Sequence, residues 1–361
     1  MIIKASKKLV QNYIDAKEEN ILVNNIYNDY LENFSKEVSK IDLMKNENSL
    51  YNVFLDKLEI DPTDYDFYNL AKRYRIDNFK LLNEEKYEND AYFKNIHLPK
   101  NISSSRSKLE LTYSSFSPYQ LFLDSKLNID KDDYYREINH FGYFKNKFNY
   151  IDLVKNNVTW MSITPHEINT METSIKKANG NVLILGLGLG YFPYMCSLKN
   201  NVTKIDIIEL DKEIIDVFKK VILPQFKNKA KISIINQDAL MFLENSSLEH
   251  YDFIFSDLWH NAEDGLKPYL EIKSLLKNFS KERDYRIEES IIAYIRRILV
   301  GLFEENLNGY SDSNYPEEGN FIDKIYSKLY FKTKNVTLTS KSDIDSFLSD
   351  ENIQKLADNL L

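Results

Sequence analysis

The 361-residue chain holds one cysteine, eight prolines and nine glycines. A single thiol can form neither an internal disulfide nor a cysteine-cluster metal site, so no metal is expected. That thiol, Cys196, lies in a helical stretch and reads as a packing group rather than a nucleophile. No apolar run is long enough to span a membrane. Residues Met1 to Lys8 pass directly into charged helical sequence without the apolar core of a signal peptide, and cytoplasmic residence is the expectation. Basic excess is lacking too. Lys and Arg number 47 against 55 Asp and Glu, a net charge of −8, which disfavours nucleic acid as a partner. What remains is a chain with 43% hydrophobic residues and the length of two domains.

Scarce glycine gives its placement weight. Three of the nine fall within five positions, Gly186, Gly188 and Gly190, directly after the apolar run Val182-Leu183-Ile184-Leu185. This reads as a buried strand, a tight turn and a helix start, where a ligand can lie against bare backbone. A second run, Lys204 to Ile208, ends in Glu209, 19 residues past Gly190. That spacing fits one helix and one strand, a βαβ unit whose acid is placed to accept from ribose hydroxyls. A third run, Lys231 to Ile235, leads to Gln237, Asp238 and Ala239. A fourth, Tyr251 to Phe255, leads to Ser256 and Asp257. The fold class expected is α/β, a Rossmann-like, doubly wound, mostly parallel sheet that binds its ligand outside the carboxyl ends of the strands.

The dinucleotide fingerprint places a third glycine where this chain has Tyr191. Its G-x-G-x-G spacing instead resembles the first motif of class I S-adenosylmethionine-dependent methyltransferases. Within that superfamily, Ile208 to Asp216 running on to Pro224, and Asn236 to Leu243, are similar to polyamine (spermidine) synthases. The resemblance covers about residues 160–275. It implies S-adenosylmethionine as cofactor, or decarboxylated S-adenosylmethionine with methylthioadenosine as product. It also implies that Glu209 binds the ribose hydroxyls, that Asp238, with Ala239 beside it, binds the adenine amino group, and that Asp257 stands where the family keeps a catalytic carboxylate.

The departures concern the acids. Leu189 occupies the place of the aspartate in the family's glycine turn, and His260 that of its second catalytic aspartate. Ile184 replaces the acid that methyltransferases carry two residues before the first glycine. Aminopropyl transfer needs carboxylates to hold a cationic amine and take its proton, and two are missing; Glu263 and Asp264 are the nearby candidates to compensate. The function expected is methyl transfer to a small-molecule acceptor. The alternatives are an aminopropyltransferase-like enzyme and a nucleoside-binding module without catalysis. Asp257 and His260 are the candidate catalytic groups. Tyr191 and Trp259 are candidate cation–π partners of a sulfonium. Upstream, Thr164 with Pro165 and Glu167 reads as a helix start with a capping box, and Trp160 and His166 are candidates to border the cofactor.

Residues 1–150 read as a mainly α-helical N-terminal domain, with a polar loop over 101–107 and a short helix from Ser115 to Asp124 capped near Ser117-Pro118. The Rossmann-like domain spans 151–345, with a helical insertion near 276–328, a late edge strand at Val336 to Thr339, and a C-terminal helix over 346–361. Within the insertion, Ile287, Ile291, Ile295, Ile298 and Leu302 form one apolar stripe. A core face is its simplest use, and a homodimer face is the alternative.

Overall fold

A computed structural model describes residues 1–47, 49–99, 109–310, 315 and 319–361. The polar loop expected over 101–107 lies outside the described residues. The chain opens with the long helix α1 (Lys7–Asn33), started by Ser6, whose side chain accepts from the Leu9 amide. Short helices follow as far as Asn95. From Leu109 the segment turns to strand: Leu109–Phe116 pairs antiparallel with Phe148–Lys155, which pairs in turn with Val158–Ser162. The boundary expected near residue 150 falls within the middle strand of this sheet.

The helix expected over Ser115 to Asp124 is absent. Ser117 and Pro118 begin a turn, closed by the Gln120 amide donating to the Ser117 carbonyl, with Tyr119 at φ +63°. The turn brings Phe116 and Phe122 into a stack with ring centroids 4.0 Å apart, both buried. Burying two rings outweighs the local preference of a Ser-Pro pair for a helix start.

The larger sheet has five parallel strands: β1 (Gly180–Leu185), β2 (Val202–Glu209), β3 (Ile232–Asn236), β4 (Phe253–Ser256) and β5 (Glu282–Tyr285). Their spatial order is β3-β2-β1-β4-β5. Helix α2 (Pro165–Lys177) leads into β1. Helices α3 (Tyr191–Ser197), α4 (Lys212–Val217), α5 (Ala239–Asn245) and α6 (Ala262–Leu275) make the successive crossovers, and α7 (Glu288–Leu307) follows β5. The strand order reverses direction at β1, the switch point outside which doubly wound folds bind ligands. As a central strand, β1 is apolar on both faces. Val182 and Ile184 enter one core cluster with Phe192 and Phe218; Leu183 and Leu185 enter another with Leu266 and Ile291. Helix α1 seals that second cluster through Val10, Tyr13 and Ile14. Cys196 is fully buried, and burial pushes its thiol up to about 12, as expected of a packing group.

Three sequence expectations are corrected after residue 275. The fifth strand is present at Glu282–Tyr285, so residues 276–328 are not an insertion ahead of the last strand. This edge strand is charged and pairs on one side only, with β4, which is why it carries no apolar signature. Ile291, Ile295, Ile298 and Leu302 lie on the buried face of α7 and Ile287 is buried at its N-cap, so the stripe is core, as its simplest reading had it. The short strand Thr337–Leu338 does form, but pairs with Ile2–Ile3 in a separate two-stranded sheet instead of edging the large one. The C-terminal segment is two helices, Lys341–Phe347 and Asp350–Ala357. No described helix is long and apolar enough to cross a membrane.

Candidate active site

The turn after β1 owes its shape to its glycines. Gly186 has φ +96°, and a Cβ there would lie 2.1 Å from the Asp257 carbonyl oxygen. Gly190 has φ +77°, and a Cβ would lie 2.2 Å from the Phe218 ring. Gly188, at φ +55°, has nothing within 4 Å of the place a Cβ would take. Two glycines thus admit neighbouring elements, while the middle one leaves bare backbone facing open space.

That space is a cavity of about 760 Å³ along the carboxyl ends of β1 to β5. Its lining includes Gly186, Gly188, Gly190, Tyr191, Glu209, Asp238, Ala239, Asp257, Trp259 and His260. Trp160 lines it as well; His166, Glu263 and Asp264 do not. No group of three or more metal-ligating side chains occurs among the described residues.

Glu209, at the end of β2, is buried and held at both oxygens. Oε2 accepts from the Leu187 amide at 3.0 Å, and Oε1 from the Asp211 amide at 2.8 Å. The carboxylate is therefore fixed beside the glycine turn, with further lone pairs available to vicinal hydroxyls. Asp238 caps α5, its Oδ1 accepting from the Met241 amide at 3.0 Å. Gly188, Glu209 and Asp238 are the residues that could hold an adenosyl group, with bare backbone for the sugar, a carboxylate for its hydroxyls and an acid one strand further out for the base. Tyr191 is buried, its hydroxyl 3.1 Å from Asp90 Oδ2. The Trp259 indole is also buried, with Nε1 donating to the Arg286 carbonyl at 2.9 Å and the ring packed on Gly265. Both rings thus pack in the wall of the cavity they line.

The opposite end is built from β4 and β5. The Arg286 amide continues the ladder by donating to the Ser256 carbonyl at 2.9 Å, which sets Arg286 beside Asp257. Arg286 is 7% exposed; its Nη1 donates to Asp257 Oδ1 at 3.2 Å and its Nη2 pairs closely with Glu167. Sequence reading missed this arginine and assigned Glu167 to a capping box. Thr164 does cap α2, accepting from the Glu167 amide, but the Glu167 side chain turns to Arg286 and the box is not formed. The two residues are 119 apart in sequence, so spacing carries no signal of the pair.

Burial pushes the Glu167 carboxyl up to about 7, with the Arg286 charge pulling against the shift and Asp257 adding to it. A carboxyl with this value stabilises the fold most when protonated. Its contribution is complete below the ordinary value of 4.5 and is lost as pH rises through about 7. Glu167→Gln should flatten the stability–pH curve across this window, by on the order of 3 kcal/mol. Denaturant melts from pH 4 to 8 check this, and an unchanged curve would refute it. Desolvation likewise depresses His166, to about 4, so it is neutral at physiological pH.

His260 sits at the rim, half exposed. Its Nδ1 is 3.0 Å from Asp264 Oδ2, and its ring meets Trp160 edge-on at 5.0 Å. Asp264 thus orients an imidazole at the cavity and also closes the cap of α6 with Asn261. Trp160 carries the Lys155 ammonium 5.5 Å over its face.

Residues 162–278 match the spermine/spermidine synthase domain family. Among solved structures, similarity extends to the spermidine synthase of Thermotoga maritima, at 15% identity over 34% of this chain and 49% of that one, with a TM-score of 0.26. A spermidine synthase in complex with the transition state analogue AdoDATO is 16% identical over 34% and 48%, with a TM-score of 0.26. TrmK of M. capricolum, in complex with S-adenosyl-homocysteine, is 17% identical over 32% and 48%, with a TM-score of 0.25. The chain spans about half the length of each of these structures. No curated protein sequence matches it.

Proposed function

We propose that the protein is an S-adenosylmethionine-binding transferase that moves a methyl group to a small-molecule acceptor. The observation that carries the reading is the Glu209 carboxylate, fixed by two amides beside the open backbone of Gly188 in a single cavity. When bound, S-adenosylmethionine supplies an electrophilic methyl. Bound there, it would supply that methyl to the acceptor atom, whose proton would pass to a group at the β4–β5 end.

The chain's own residues have two tasks. Glu209, Asp238 and the glycine turn hold the nucleoside over β1 to β3, which directs the reacting end toward β4 and β5. There Asp264 orients the His260 imidazole at the rim, and Glu167, with a carboxyl near 7, is a group able to take a proton at neutral pH. Methyl transfer is favoured over aminopropyl transfer because Leu189 and His260 stand in place of the acids that hold an amine. Mass spectrometry of incubations with S-adenosylmethionine and with its decarboxylated form tests the choice. S-adenosylhomocysteine is the expected product, and methylthioadenosine from the decarboxylated form would reject methyl transfer.

A further inference from the structure

The acidic lining of the cavity divides into two groups. Glu209, Asp211 and Asp238 stand at the ends of β2 and β3, on the nucleoside side. Glu167 and Asp257 stand on the far side, where the nucleoside reading places the acceptor. Only this second pair shares a buried guanidinium, and Arg286 commits one terminal nitrogen to each acid. We propose that Arg286 is a built-in counter-cation that closes the acceptor end of this cavity to cationic amines and commits it to an uncharged nucleophile.

The inference rests on the nucleoside reading for which end is which. A cationic amine is held by carboxylates whose charge is free to meet it. Here the two acids at that end already face a cation, fixed in place by its own backbone. The Arg286 amide is in the β4–β5 ladder and its carbonyl accepts from Trp259, which fixes the backbone from which the side chain springs, and the guanidinium is held by Glu167 and Asp257. Directly after it, Ile287 adopts φ +49°, unusual for a β-branched residue. An ammonium entering this end would meet the guanidinium in a low-dielectric site, where like charges repel strongly. Burial of Glu167, which favours its neutral form, removes still more of the negative charge an amine would seek. Of the neighbouring groups, His260 is already paired with Asp264 and Trp160 already carries the Lys155 ammonium, and the lining beside them includes the uncharged Met161, Ser162, Thr164, Leu258 and Pro268. An alcohol, a phenol or a neutral nitrogen suits this surface; a di- or polyamine does not.

Calorimetric titration with 1,4-diaminobutane tests this, on the free protein and on protein saturated with methylthioadenosine. The wild type should show no saturable binding at millimolar diamine, and Arg286→Lys should behave the same. Arg286→Gln, shown folded by circular dichroism, should gain diamine binding at least tenfold tighter. If that variant does not fold, Glu167→Gln/Arg286→Gln removes the charges in pairs and leaves Asp257 free, with the same gain expected. Saturable diamine binding by the wild type, or folded charge-removed variants that remain blind to diamine, would overturn the proposal. Methylthioadenosine binding is read separately in the same experiments. Its absence would count against the nucleoside reading alone, while the titrations on free protein still decide the role of Arg286.

Discussion

Glu209→Ala is expected to weaken binding of S-adenosylmethionine by about a hundredfold. Hydrogen bonds to a charged group contribute about 1.5–3 kcal/mol each. Two ribose hydroxyls on one carboxylate therefore account for about 3 kcal/mol, a factor of roughly a hundred. The substitution also removes the acceptor of the Leu187 and Asp211 amides, which loosens the turn on both sides of the cavity. Glu209→Gln retains one acceptor oxygen and should lose less. Titration calorimetry on the three proteins checks the order, and equal affinities for wild type and alanine variant would refute the role.

The second large effect separates two glycines that look alike in the sequence. Gly186→Ala sets a Cβ against the Asp257 backbone oxygen at a positive φ. Strain and overcrowding together should cost about 4 kcal/mol of stability. Gly188→Ala has room for its methyl, and only its left-handed conformation counts against it, about 1–2 kcal/mol. Its methyl, however, projects where an adenosyl group would lie. Stability should therefore fall mainly in the first variant, with nucleoside affinity at least tenfold weaker in a well-folded second. Denaturant melts and titrations on both proteins check this, and the reverse pattern would show that Gly188 faces packing instead of a ligand.

The half of the cavity at the ends of β1 to β3 was legible because its signals are local. A central parallel strand must be apolar on both faces, so β1 appears as an unbroken run, and its turn appears as glycine in a chain that has little. Glu209, Asp238 and Asp257 follow as the acids at or just past the ends of three strand-like runs. The other half is made by contacts that sequence order hides. Strand β5 is an edge with charged side chains, so neither alternation nor an apolar run marks it. Arg286 meets Glu167 only because β5 lies beside β4 in register, and a capping-box pattern at Thr164 to Glu167 offered a complete local explanation for an acid that serves a distant partner. The strands between Leu109 and Ser162 were hidden for a related reason: their pairing is long-range, and a Ser-Pro start imitates a helix cap where two phenylalanines fold the chain back.

A crystal structure of the protein grown with saturating S-adenosylmethionine tests the central claim most directly. The account predicts one nucleoside per chain, lying over Gly188 with both ribose hydroxyls on the Glu209 carboxylate and its sulfur directed toward Asp257 and Arg286. A nucleoside bound elsewhere, or none at all in well-ordered crystals, would contradict it.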